Sequence, residues 1–142
     1  MTITFHLFDK FVKNLGLKKE NISADTISVA LTNTAPSQTG NEVIGDITQI
    51  SGTGGYAVDV PGSVTWAETG AGSGIWQFTT ANATWTASGA SFDSFRYIVV
   101  YDSTSGDLIG YYDRGSGLVL VNGATYTLIV SASGHFQASY TP

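Results

Sequence analysis

The sequence predicts an all-β protein, an antiparallel β-sandwich or jelly-roll-like barrel of about eight to ten strands with a short N-terminal amphipathic helix. Three observations carry that prediction. Short apolar runs recur between turn signals, 17 glycines and abundant Ser and Thr supply the turns, and 42% hydrophobic content stands against only 12% charged residues. At 142 residues there is enough apolar material for one core, so residues 1–142 are expected to form a single β-sandwich domain, with a helical arm over 1–20 and a β-rich body over 25–140.

Phe5, Phe8, Phe11, Val12 and Leu15 recur at spacings of three and four, the pattern of one helical face, and Gly16 is placed to stop the helix. At about three turns such a helix is marginal alone. It either packs over an open end of a sheet or docks on a neighbouring subunit. Thr26–Thr32 alternates strictly, putting Ile27, Val29 and Leu31 on one face of a half-buried strand, and Pro36 and Gly40 mark the loop after it. Residues 42–55 place Ile44, Ile47 and Ile50 three apart among glycines, which suits a short helical turn or an irregular crossover.

Tyr56–Val60 reads as a strand ended by Pro61-Gly62. Residues 63–68 and 75–80 read as a hairpin across the glycine-rich stretch 69–74, and 83–87 as a further strand around Trp85. In 95–102, Phe95, Tyr97, Val99 and Tyr101 alternate with Arg96, Ile98, Val100 and Asp102, so the middle of the strand is apolar on both faces. Such a strand is buried on both sides, inside a sandwich or against a second chain. Asp102 is placed to cap the turn through 103–106, Gly106 to take positive φ there, and Leu108, Ile109, Tyr111 and Tyr112 to return as the partner strand. Adjacent strand residues face opposite ways, so one of Tyr111 and Tyr112 is expected in the core. With Ile98 and Val100, this pair forms the candidate inter-subunit contact. Leu118–Val121 and Thr125–Ser131 flank Asn122-Gly123, the pattern of a two-residue type I′ hairpin, and Gln137–Tyr140 is expected to close the sheet.

The chain offers little reactive chemistry. It has no cysteine, hence no disulfide and no thiolate. His6 and His135 are its only histidines, there is no Gly-x-Ser-x-Gly elbow, and Ser63, Ser73 and Ser116 lie in turn contexts. Asp102 and Asp107 bracket a tight loop, but calcium takes roughly six to eight oxygens and the loop supplies too few without distant help, so turn capping is the preferred reading. Asp93, Asp113 and Glu68 form no recognisable glycosidase pair, and the glycine-rich segments 52–55 and 70–74 lack the lysine of a phosphate loop. No catalytic residue, metal ligand or cofactor is therefore assigned. Trp66, Trp76 and Trp85 share strand faces with apolar neighbours, which reads as core patterning in preference to a sugar-binding platform.

The net charge of −5 is unevenly spread. Lys10, Lys13, Lys18 and Lys19 against two acids leave residues 1–20 at +2, and two arginines against nine acids leave the rest at −7. Such a body repels nucleic acid. The first residues lack the order of a secretory signal, and no segment approaches the roughly 18 to 20 apolar residues of a membrane span, so synthesis in the cytoplasm is expected. The sequons at Asn21 and Asn82 are then chance matches.

DTISVALTNTAPS (25–37), GDITQISGTGGY (45–56) and FRYIVVYDSTSGDLIGYYDRG (95–115), following a short N-terminal helix, together resemble a family of small tailed-bacteriophage virion proteins, over about residues 5–131. The resemblance implies a β-rich, non-enzymatic structural protein of the capsid decoration, or cement, type. Such a protein binds the major capsid protein on the outside of the head and stabilises the shell, commonly as a homotrimer. The family motif maps no binding residues. Physical reasoning adds the four arm lysines as candidate shell contacts, because many modest interfaces on a symmetric shell give avidity. Two other readings stay open: a carbohydrate- or receptor-binding module of a tail or fibre, and a tail-tube or head–tail connector component.

Overall fold

The computed structural model describes residues 3–139 and is mostly β with antiparallel sheets and one α-helix, a sandwich-like fold as the sequence predicts. Among the described residues there are nine strands: β1 (Phe5–Leu7), β2 (Ile27–Thr32), β3 (Thr65–Glu68), β4 (Ile75–Thr79), β5 (Ala83–Thr86), β6 (Phe95–Asp102), β7 (Leu108–Leu118), β8 (Thr125–Leu128) and β9 (Phe136–Ser139). The helix α1 spans Asp9–Gly16. The strands form a four-stranded sheet in the order β1-β7-β6-β2, a three-stranded sheet β3-β4-β9 and a two-stranded pair β5-β8.

The β6–β7 hairpin is the spine of the larger sheet. Its turn is built as the sequence predicts: the backbone N–H groups of Thr104 and Ser105 donate to Asp102 Oδ1 at 2.7 and 3.2 Å, and Gly106 has φ +86°. From Tyr97 to Asp102 every residue of β6 is buried. The second apolar face is thus covered within the chain. Tyr112, opposite Ile98, donates from its hydroxyl to His135, whose ring tilts against Phe78 of β4 at 4.9 Å, so this side looks onto the β3-β4-β9 sheet.

β2 is more deeply buried than its alternation predicts. Ser28 and Thr32, on the face expected to be open, are covered: the Ser28 hydroxyl donates to Ser103 and the Thr32 hydroxyl to the Thr48 carbonyl. The free edge of β2 is also occupied. Val29 and Asp59 exchange backbone hydrogen bonds of 2.8 and 2.9 Å, and Ile50 N–H donates to Leu31 at 3.1 Å. A crossover with two short 3₁₀ turns (Ile44–Asp46 and Thr53–Gly55) thereby shields an edge that would otherwise recruit another chain. Tyr56–Val60, expected as a strand, belongs to this cover and makes only the single bridge at Asp59. Tyr56 instead works through its side chain, accepting from Leu31 N–H at 2.9 Å and donating to Gln49 at 2.8 Å.

Two further expectations are corrected. The helix begins at Asp9, and Phe5 lies before it in β1, paired with Tyr112. Only Phe8 and Phe11 of the helical face are core, whereas Val12 and Leu15 are 59% and 41% exposed. The turn at Asn122-Gly123 exists, with Gly123 at φ +86°, yet it joins no hairpin. β8 pairs with β5, and Leu118 ends β7 opposite Phe95. Leu120 explains the difference: it is buried and accepts from Phe92 N–H at 2.9 Å, which draws the segment away from β8. Tyr140 lies outside the described residues; β9 ends at Ser139.

Candidate functional site

The candidate inter-subunit residues separate sharply. Ile98 and Val100 have no exposed surface, and Tyr112 is 6% exposed, so the chain itself covers all three side chains. Tyr111, on the opposite face, is half-buried, stacked on His6 at 5.1 Å and tilted against Phe8 at 5.4 Å. Of the four, it alone keeps surface to offer a partner.

The four arm lysines do not act alike. Lys13 is held by Glu42 at 2.7 Å, and Lys10 and Lys19 add to the positive field there, which together hold the Glu42 carboxyl below its ordinary range. Lys18 and Lys19 are exposed beyond the helix, with Lys18 in the left-handed region at φ 58°. Between these charges lies the exposed apolar strip Val12, Leu15 and Leu17, the last 60% exposed.

That strip leads to aromatic surface on the small sheet. Trp66 and Trp76 stack at 6.2 Å, and Trp76 is 43% exposed, contrary to the core reading made for it; Trp85 alone of the three tryptophans is buried, at 4% exposed. Cross-strand register puts Trp66, Trp76 and Phe78 on one face, which runs from core at Phe78 to solvent at Trp76. A pocket of about 220 Å³ joins Leu15 of the helix to Trp66 and Ile22, with Glu20 on its wall.

Behind that wall lies an acidic cluster. Oxygens of Glu20, Asp25 and Asp102 fall within 4.8 Å of one another, and Asp107 approaches Glu20 from the far side of the hairpin turn. Asn14, from the helix, completes it, with Nδ2 donating to Asp107 Oδ2 at 3.2 Å. Burial first, and then Asp102 and Asp107, push the Glu20 carboxyl up to about 8; burial likewise raises Asp102. Sequence reasoning had weighed Asp102 and Asp107 and found too few oxygens. What it missed are Glu20, Asp25 and Asn14, brought in by the arm. The one signal was a polar Asn14 at the i+3 position from Phe11, on the inward face of the helix.

His135 is buried among Tyr112, Phe78 and Thr80, beside a depression of about 240 Å³ lined in part by Phe5 and Ile129. Its ring nitrogens meet the hydroxyls of Tyr112 and Thr80, not a carboxylate, so it is placed as a structural linker between sheets and not as the base of a catalytic triad.

No protein-family model matches the chain, and comparison with curated proteins and with solved structures returns no significant match.

Proposed function

We propose that this chain is a non-enzymatic phage virion structural protein, of the decoration type that binds the major capsid protein on the head exterior as a symmetric oligomer, most simply a trimer. The observation that carries the reading is the exposed strip Val12, Leu15 and Leu17, set among arm lysines and continuous with Trp66. Apolar surface rimmed by charge is what a protein–protein contact uses. The acidic body repels nucleic acid, while the basic arm suits an acidic shell surface.

The arm cannot be tested by deletion, because Phe8 and Phe11 are core. The substitution Leu15→Asp leaves the core intact and is expected to abolish saturation of purified heads. Electron microscopy of the virion supplies the broader test. Hundreds of copies on the head support the reading, and tens of copies at the tail sink it.

The stacked, half-exposed Trp66–Trp76 pair favours one second reading, a carbohydrate-binding module of a tail or fibre, since sugars dock on such exposed rings. Glycan binding lost in Trp76→Ala, with no binding to heads, would select it.

A further inference from the structure

Asn14 is fully buried, yet its Oδ1 has no hydrogen-bond partner, and the same holds for both oxygens of Glu20 and for Asp102 Oδ2. Such orphaned acceptors are expensive to bury. They are also gathered in one place. Asn14 reaches the cluster through Asp107, and Glu20 and Asp102 face each other with Asp25 alongside. The charged neighbours that act on Glu20 are Asp102 and Asp107, both acidic. A site whose buried acceptors outnumber its donors is complementary to a cation.

We propose that Glu20, Asp25 and Asp102 form a calcium-binding site that fastens the N-terminal arm to the β6–β7 turn, with the buried Asn14 and Asp107 bordering it. The geometry fits one ion: oxygens at about 2.3–2.6 Å from a shared calcium lie no more than about 5 Å apart, and those of Glu20, Asp25 and Asp102 lie within 4.8 Å. The ligand chemistry fits as well. Carboxylates, with no thiolate or imidazole, select a hard cation. Calcium suits it better than magnesium, because donors from separate segments give an irregular shell, which calcium's flexible coordination accepts and magnesium's octahedron does not. The two orphaned oxygens of Glu20, Asp102 Oδ2 and one oxygen of Asp25 supply four donors, and water completes calcium's shell. Asp102 serves two ends of the same device: Oδ1 caps the turn, and Oδ2 is left for the ion. The site is independent of the head-binding reading and stands if that reading fails.

The test titrates calcium chloride, and in parallel magnesium chloride, into the EDTA-treated full chain at pH 8 by calorimetry, with thermal melts alongside. Saturable calcium binding near one ion per chain, a rise in melting temperature reversed by EDTA, and weaker magnesium binding are expected. Glu20→Gln should weaken calcium at least about tenfold, while keeping its fold in EDTA because it removes a buried charge. Asp25→Asn, at a half-buried position, serves the same purpose should Glu20→Gln fail to fold. Terbium luminescence excited through Trp66, lost in Trp66→Phe, would locate the ion beside Glu20. No heat and no melting shift at millimolar calcium overturns the proposal. Calcium binding unaffected by both carboxylate variants overturns the location, and equal or tighter magnesium binding overturns the choice of ion.

Discussion

The hydroxyl of Tyr112 lies 2.7 Å from Nδ1 of His135, and this contact joins the four-stranded sheet to the three-stranded one. The neighbouring bonds fix its direction. Thr80 donates its hydroxyl to the Ala81 carbonyl at 2.8 Å, so its oxygen is free to accept from His135 Nε2 at 2.9 Å, and Nδ1 accepts from Tyr112. The chain Tyr112→His135→Thr80→Ala81 uses one neutral tautomer and leaves no ring nitrogen for a second proton.

Acid should therefore loosen the packing of the two sheets. Burial pulls His135 down to about 4, below its ordinary value of 6.5. Between those values the unfolded chain binds more protons than the folded one, so this contribution is complete above pH 6.5 and is lost as pH falls toward 4. At about 1.4 kcal/mol per unit, the loss is about 3 kcal/mol. Urea denaturation at pH 4 and pH 7, with His135→Gln as the control, should show a fall in the wild type that is larger by this amount.

The adjacent tyrosines should respond in opposite ways to loss of the hydroxyl. Tyr112→Phe strands His135 Nδ1 in the core, a loss of about 1–3 kcal/mol. Tyr111→Phe removes a hydroxyl that makes no hydrogen bond among the described residues, and its effect should stay within about 0.5 kcal/mol. Equal effects of the two in chemical denaturation would contradict the register that puts Tyr112 opposite Ile98.

Gly110 should tolerate no side chain. β1 crosses β7 at this residue so closely that a Cβ would meet the ring of Phe5 and the backbone oxygen of His6. The ring can turn, but the backbone oxygen cannot retreat without breaking the pairing. Gly110→Ala should cost about 1–3 kcal/mol, with increased hydrogen exchange at β1 amides as the specific sign.

Trp85 and Trp76 should respond in opposite degree to truncation. Trp85 is buried and its Nε1 donates to the Ala57 carbonyl at 3.1 Å, so Trp85→Ala should cost about 3–5 kcal/mol. Trp76→Ala, at a residue 43% exposed, should leave the melting temperature much closer to that of the wild type.

Strand alternation made β2, the β3–β4 hairpin and the β6–β7 hairpin legible, because local period and turn chemistry agree there with the tertiary fold. It did not separate Phe5 from Phe8, since a short strand running into a helix keeps apolar residues three apart just as a longer helix does. Nor does a period state which apolar residue is covered: Val12 and Leu15 fit the helical face of Phe8 and Phe11 but lie outside the core. Asn122-Gly123 specifies a turn without naming the strands that use it, and pairing went to β5 because Leu120 found Phe92. The acidic cluster was illegible for a related reason. Its members are separated by up to 93 residues, and only the return of the arm to the hairpin brings Asn14 to Asp107.

The pairing of β1 with β7 also sets a timetable. Phe5 is synthesised well before its partner: Tyr112 follows roughly a hundred residues later, several seconds of translation at about 5–20 residues per second. Until then the arm's Phe8 and Phe11 have no hairpin to cover them. Closing so long a loop is slow, and the arm should dock last, after the hairpin has formed. An N-terminal segment that waits in this way spends its early life exposed to other chains, which makes the order of emergence from the ribosome, and not final stability alone, a determinant of how much protein reaches the folded state.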